Sequence, residues 1–530
     1  MYRMKRGRLN KNMKYWLGVT GILLAIIMSL VSFFVYFHFG LRGVSIVFDK
    51  KSGFYDDSID VNIGIEGFSI NSPVFIKYNM NGNVLNTEGE DYNGAIRLEV
   101  PETAYDLYTL SAMACDNDGN CTEPVVKSYV LGHNIDEDAT LKIINVNCSQ
   151  NDLDDYYTGI MVGGATYDMY RDLTEEGEYV LGNYNNRGKK WMRDAYITMF
   201  DTDGASLIDQ YGYLGVSGWT SSAYSTKSLK VSMYIEDGEN FREETFKLRS
   251  GSQDQFSGNI RSSLVSRLAE ESGFEGGVST ERVVVFLNGE FYGIFDMQDT
   301  FSEVNMQRKY GIEKKKNIRK YKSAEKFVFE AMGIENDLWM NLDSVEGRRR
   351  LEEEIDMDNF LKYYAIQILV NNTDWPTNNY GAWRYEGKDE GNNKYTDGRA
   401  RFLLYDMDIT YYSDENIQWF EGINEDAFIS IMENKYGGRD SVFPKVMETE
   451  YYRNRFIEIM RELINGPFRT ENVLKIIDEE AAKIDHQVEL WSTPEEYEEW
   501  KQWIEIMRND AATREQEVRN DILEYFDVVL

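Results

Sequence analysis

The sequence predicts an α+β protein, and three patterns carry that prediction. A charge-free apolar run lies near the N-terminus. A block of short β-rich runs separated by turn residues follows it. The long remainder mixes strand-like and helix-like segments and ends in amphipathic helices. These patterns divide the chain into a basic segment (1–14), a transmembrane helix (15–41), a small all-β sandwich domain (44–132) and an α+β body (142–530). The last part of the body, 440–530, reads as helical. A chain of 530 residues is long enough for two or three domains. Its 14% of aromatic residues excludes a disordered chain.

The net charge is −33, and six of the basic residues sit in the first fourteen positions, so the body is more acidic still. Such a body repels a phosphate backbone, and nucleic acid is not expected as a partner. It repels nucleotides too, so a nucleotide site here needs local Lys or Arg and a divalent ion. The three histidines, His38, His133 and His486, are far apart in sequence. They leave almost nothing from which to build a histidine zinc site or a Ser-His-Asp triad.

From Tyr15 to Leu41 no residue is charged, a length sufficient to cross a bilayer, for which ~20 residues are needed. Trp16 and Tyr36 lie near its ends, as interfacial aromatics do, and Arg3, Lys5, Arg6, Arg8, Lys11 and Lys14 precede it. That charge asymmetry predicts a cytoplasmic N-terminus and an exported body, anchored by a single pass. A cleaved signal peptide is the alternative, but the run is longer than a signal core and no small-x-small site follows it.

Residues 44–132 alternate VSIVFD, SIDVNIGIEG, SPVFIKYNMNG, GAIRLEV, YTLSAMACD and EPVVKSYVLG with turn residues at near-regular spacing. Cys115 and Cys121 bracket DNDGN and could close a small loop in an exported protein, leaving Cys148 over; buried thiols are the other possibility. The DNDG here and the DTDG at 201–204 lack the glycine that a calcium loop needs at its sixth position, and read as turns.

In the body, ATLKIINVNC, YITMFD, SLKVSMYI and TFKLRS read as strands, and RSSLVSRLAEES as an amphipathic helix. RVVVFLNGEFYGIFDM reads as a hairpin turning on Asn288-Gly289. Residues 343–371 read as helices, the last apolar and buried, and Pro376 marks a stop. RFLLYDMDITYY reads as a strand bearing Asp406 and Asp408. Beyond it, Thr470-Glu471 and Thr493-Pro494-Glu495 are helix starts. The Glu runs there are solvated helix faces or, more sharply read, a dock for a basic substrate.

Asp374 is followed five residues later by Asn379, and a second acidic pair, Asp406 and Asp408, closes an apolar run. Loop residues of these types are common in turns. The spacing is also the polar layout of a phosphoryl-transfer centre: one Asp receives the substrate hydroxyl, while an Asn and a later Asp hold Mg²⁺ against ATP phosphates.

Four blocks occur in an order that gives this spacing a context: GVSGWTSSAYSTKSLKVSM, FLNGEFYGIFDMQD, DMDNFLKYYAIQILVNNTDWPTNNYGAWRY and FLLYDMDITY. Together they resemble the CotH kinase family, named for a spore-coat protein, over about residues 142 to 530. SGFYDDSIDVNI, FIKYNMNG and YNGAIRL resemble the β-sandwich module found at the C-terminus of chitobiases. The first resemblance implies a divergent protein-kinase-like domain that uses ATP with Mg²⁺ or Mn²⁺ to phosphorylate Ser or Thr of surface, coat or secreted proteins. Carried over by position, Asp374 is the catalytic-loop acid. Asn379 (with Asn378 as fallback), Asp406 and Asp408 are the metal residues. Lys227, with Lys230 second, contacts phosphate, and Asp299 is the acid after the hairpin. The second resemblance implies a spacer, with possible contact to cell-wall carbohydrate.

The chain departs from the family pattern in places. Tyr405 stands where a Trp is common, Asp299 where Glu is common, and no Arg precedes the glycine of the first block. These departures suit a non-catalytic surface or coat scaffold as the alternative. A wall glycosidase using Asp374 and Asp406 as its two carboxylates is a third reading.

Overall fold

The computed structural model describes residues 41, 43–67, 73–82, 89–175, 177–237, 240–334, 336–376, 378–412, 426–433 and 441–530. The expected membrane span at 15–41 lies, apart from Leu41, outside the described residues. Among the described residues no helix is long and apolar enough to cross a membrane.

The first nine strands are β1 (Ser45–Phe48), β2 (Gly53–Tyr55), β3 (Ile59–Val61), β4 (Ile63–Glu66), β5 (Val74–Met80), β6 (Glu90–Asp91), β7 (Ile96–Leu98), β8 (Asp106–Asp116) and β9 (Val125–Leu131). They form a five-stranded sheet ordered β2-β9-β8-β5-β6 and two small pairs, β1-β4 and β3-β7. Cys115 and Cys121 form a disulfide, and Cys148 is free and buried. Asp116 closes the intervening turn by accepting backbone N–H bonds from Asp118 and Asn120 at 3.0 and 2.9 Å. This region packs onto the body. Tyr105, Leu107 and Val130 belong to the main core. A buried hydroxyl chain runs from Thr109 to Ser128 to Thr198 at 3.0 and 3.1 Å.

Seven strands then close a barrel: β10 (Lys142–Cys148), β11 (Arg193–Phe200), β12 (Ser206–Val216), β13 (Leu229–Asp237), β14 (Asn240–Arg249), β15 (Thr280–Leu287) and β16 (Glu290–Asp299). Their order is β10-β11-β12-β13-β14-β16-β15, and closure comes from parallel pairing of β10 with β15. Closure leaves no unpaired edge. Side chains alternate along each strand, so Ile197, Leu214, Val231, Leu248, Val285 and Phe295 fill the barrel. The β15–β16 hairpin turns on Asn288 (φ 54°) and Gly289 (φ 81°), the left-handed pair expected of an Asn-Gly turn.

Between β14 and β15 lies helix α1 (Arg261–Glu271). The second half holds α2 (Glu303–Tyr310), α3 (Glu325–Ala331), α4 (Val345–Glu354), α5 (Met357–Leu369), α6 (Ala427–Met432), α7 (Val442–Glu448), α8 (Glu450–Ile464), α9 (Thr470–Trp491) and α10 (Pro494–Phe526). A small antiparallel sheet is ordered β17 (Ile318–Ser323), β18 (Tyr380–Tyr385), β19 (Arg401–Leu403). Helix α5 is the axis of this half. Asp356 caps its start by accepting the Asn359 N–H at 3.3 Å. Phe360, Leu361, Tyr363, Tyr364, Ile366 and Ile368 are fully buried, each contributing ~1.5–3 kcal/mol of hydrophobic stabilisation relative to an exposed position. Helix α10 begins at a capping box: the Thr493 N–H donates to Glu496 Oε2 and the Glu496 N–H donates to Thr493 Oγ1.

Candidate active site

The site is built from two loops of the second half and one outer face of the barrel. The first loop leaves α5. Asn371 is left-handed (φ 49°), and the Asn372 side chain donates to Gln367 Oε1 at 2.9 Å. Trp375 is fully buried, edge-on to Tyr363 and Tyr364 and stacked with Tyr380. That aromatic anchor holds Asp374 at the mouth of the helix. Asn378 donates to Asp374 Oδ1 at 2.8 Å and Asn379 to Oδ2 at 2.6 Å. Burial pushes the Asp374 carboxyl up to about 6; the Asn378 bond opposes the shift and the Asp406 charge adds to it.

The second loop follows β19. The expected strand through Asp406 and Asp408 stops at Leu403, and Asp406 is left-handed at φ 63°. The turn lets the two carboxylates converge on one cation. Arg249 Nη2 donates to Asp406 Oδ1 and, at 2.7 Å, to Asp408 Oδ1, while Asp408 Oδ2 accepts the Gln253 N–H at 3.2 Å. Burial raises both acids. At Asp406 the charges of Arg249 and Lys247 overcome it and hold that carboxyl low. At Asp408 the repulsion from Asp406 leaves the carboxyl high. The pair therefore titrates as a unit around a shared guanidinium.

The barrel supplies the cations. In the β13–β14 register Lys230 stands directly opposite Lys247, an arrangement that is unfavourable without an anion to share. Burial, and then the Arg249 charge, push the Lys247 amine down; Arg187 and Lys230 add to this, and Asp406 opposes it. From β17, Lys322 lies 3.9 Å from the Tyr405 ring centroid and 4.8 Å from that of Phe301. Burial and the Lys247 charge push its amine down as well. Among the described residues Lys230, Lys247 and Lys322 form no ion pair. Lysines without an ion pair, offset in part by the nearby Asp406 charge, favour an anion in a chain of charge −33.

Two further predicted residues have partners of their own. Lys227 is 5% exposed; its amine donates to the Tyr224 carbonyl and sits 5.0 Å from the Tyr184 ring centroid, and burial pushes it down to about 8. Its backbone N–H donates to Tyr292 Oη at 2.7 Å. These bonds pin the loop 217–228, which Arg187 also holds through the Gly218 carbonyl and Asn185 through the Trp219 carbonyl. Asp299 ends β16 half-exposed and pairs with Arg308 at 3.6 Å. The structure thus brings together Asp374, Asn378, Asn379, Asp406, Asp408 and Lys230. It adds Lys247, Arg249 and Lys322, which sequence reasoning missed. The alternation in Lys247-Leu248-Arg249 marks two cations on one strand face; nothing local says what that face meets.

A cavity of about 20 Å³ is lined by Arg249, Tyr405, Asp406 and Met407. A larger one, about 420 Å³, lies across α1, lined by Lys142, Arg267, Arg282 and Glu480 among others. Its charges are largely satisfied within its own walls, as in Lys142–Glu281 at 2.6 Å and Lys483–Glu480 at 2.5 Å. Of the candidate site residues, Arg249 and Asp406 line the smaller cavity. Among the described residues no group of three or more His, Cys, Asp or Glu is gathered for a metal. Mg²⁺ held through nucleotide phosphates takes one or two carboxylates from protein, and Asp406, Asp408 and the Asn379 amide supply that hard-oxygen chemistry.

No curated protein matches the chain. Among solved structures, the Helicobacter pylori proinflammatory kinase CtkA is 13% identical with a TM-score of 0.25, covering 55% of this chain and 94% of its own. The twitchin kinase region from C. elegans is 8% identical with a TM-score of 0.16, covering 91% and 75%. Overlaps of this extent support no correspondence of residues. Residues 214–518, more than half the chain and nearly all of the site just described, match the family described as CotH kinase protein, and the chain belongs to that family.

Proposed function

We propose that this protein is an atypical protein kinase that transfers the ATP γ-phosphate to Ser or Thr of a surface, coat or secreted protein. One observation carries the reading: a partly buried acid pair, Asp374 and Asp406, lies beside lysines that form no ion pair among the described residues of a strongly acidic chain. Asp374 accepts the substrate hydroxyl proton. Its carboxyl, raised to about 6, is mostly ionised at neutral pH yet basic enough to take a proton. Asn378 and Asn379 orient it. Lys230 and Lys247 draw the phosphates as point charges, and Arg249 offers a planar donor pair. Asp406 and Asn379, with Asp408 beside them, would hold Mg²⁺ or Mn²⁺. When bound, that ion neutralises phosphate charge.

The body is read as extracytoplasmic, behind a span at 15–41. A charge-free run preceded by basic residues and the Cys115–Cys121 disulfide support this. The β region at 44–132 braces the barrel in this reading. Among its described residues Phe75 is the one exposed large aromatic.

The test is a thermal shift of the full-length protein with ATP and Mn²⁺. The shift is expected in the wild type and lost in Asp406→Asn. No shift, together with no autophosphorylation from labelled ATP, sinks the kinase reading. It would leave the second one: a scaffold in which Arg249 neutralises Asp406 and Asp408 permanently.

A further inference from the structure

We propose that the lysine strip from Lys314 to Lys322 docks an acidic segment of the protein substrate and leads its hydroxyl to Asp374; this rests on the kinase reading. Between Arg308 and Lys322 the chain carries eight Lys or Arg against one Glu, while the whole chain carries −33. The strip is therefore an island of opposite sign. Of its other cations, Arg308 pairs with Glu244 at 3.0 Å, Arg319 with Glu386 at 3.5 Å and Lys320 with Glu303 at 2.7 Å, Lys309 donates to the Gly277 carbonyl, and Lys322 stands over the Tyr405 ring. Lys314, Lys315 and Lys316 are exposed and form no ion pair among the described residues. Together they are a positive charge with no internal use.

Geometry ties this charge to the site. Lys315–Asn317 form a turn after α2, and the chain then runs directly into β17. Among the described residues β17 is the outer strand of its sheet and pairs with β18 alone. At its far end Lys322 stands over Tyr405, the residue before Asp406. Six residues of strand span roughly 20 Å, so an extended peptide with its acceptor at Asp374 would meet Lys314–Lys316 with residues about six to eight positions away. Lysines on an outer strand also discourage sheet-to-sheet pairing. That role accounts for Lys320 and Lys322 but not for the three lysines in the turn before the strand. A nucleic acid would meet this patch only by approaching a strongly acidic body, which favours a short acidic peptide.

The experiment measures fluorescence anisotropy of a labelled peptide holding one Ser and a Glu run about seven residues away. The protein is the full-length chain, wild type beside the charge-reversed triple variant Lys314→Glu, Lys315→Glu, Lys316→Glu. The acidic peptide is expected to bind, to lose affinity about 10-fold or more in the triple variant, and to outcompete both a Lys-run peptide and a single-stranded oligonucleotide. The ATP-dependent thermal shift is expected to be unchanged. Equal binding by both protein forms, or stronger binding of the Lys-run peptide or the oligonucleotide, overturns the inference while an intact ATP shift leaves the kinase reading standing. Peptide binding without any ATP shift does the reverse.

Discussion

The two sides of the site are built in opposite ways. The Asp374 side is local: Asp374, Asn378 and Asn379 lie within six residues, and a buried helix and a buried Trp375 fix them. The cation side is assembled at a distance: Lys230 and Lys247 meet through strand register, and Lys322 arrives from another sheet. A site made by local sequence is rigid by packing. A site made by register is positioned by the closure of a whole barrel. The Asp374 side should therefore fail residue by residue, and the cation side gradually.

The largest expected effect is on phosphotransfer. Asp374→Asn removes the proton acceptor and should lower transfer from labelled ATP by about 10²–10⁴-fold, with the ATP thermal shift retained. Loss of nucleotide binding in this variant would blur the contrast between the two sides. Next is stability: Trp375→Ala should cost ~3–5 kcal/mol in urea unfolding, the scale for emptying a large aromatic site. A cost below ~1 kcal/mol would mean the loop is not anchored by packing.

Lys247→Met should weaken nucleotide binding roughly 10- to 100-fold, as loss of a charge-assisted hydrogen bond worth about 1.5–3 kcal/mol does. Lys227→Met should chiefly lower the melting temperature, because that amine serves the Tyr224 carbonyl. Reversal of these two results would restore Lys227 as the phosphate contact.

The pH dependence is smaller. A base raised to about 6 must be ionised to act, so the ATP-saturated rate should fall as pH drops through about 6. Stability has the opposite sign: an acid whose folded pKa lies above its unfolded value favours the protonated form. Its contribution is therefore lost as pH rises from about 4 to about 6. Glu325 and Asp408 are raised too, so the measurement is the wild-type curve minus the Asp374→Asn curve. The smallest effect belongs to Asp299→Asn. Its half-exposed pair with Arg308 should be worth about 0–1 kcal/mol, with nucleotide binding unmoved.

Legibility in the sequence follows the same division. The helix before Asp374, the Asn288-Gly289 hairpin and the capping box at Thr493 are short-range patterns, and the structure forms each one where it was expected. The strand assigned through Asp406 was too long, because RFLLYDMD carries no alternation to end it and nothing local demands a left-handed Asp. Strand β12 shows no clean alternation in sequence, because the exposed Tyr211 and Tyr213 blur it. The β10–β15 pairing that closes the barrel joins segments far apart in the chain. With it went the partners of Lys247: each strand can be read singly, but its neighbours cannot. Lys227 lies in the glycine–serine block, where sequence resemblance points, whereas Lys247 gains its neighbours only through strand register.

Arg249 gives both Asp406 and Asp408 a bond from one nitrogen. The protein thus carries its own competitor for any ion that those carboxylates bind. Metal affinity at this place is a difference between two affinities, and a free divalent ion at low concentration gains little by displacing the guanidinium. An ion that arrives with phosphates changes the balance, because it offers the released guanidinium an anion in exchange. In the kinase reading the pair would act as a threshold, responding less to metal alone than to metal and nucleotide together.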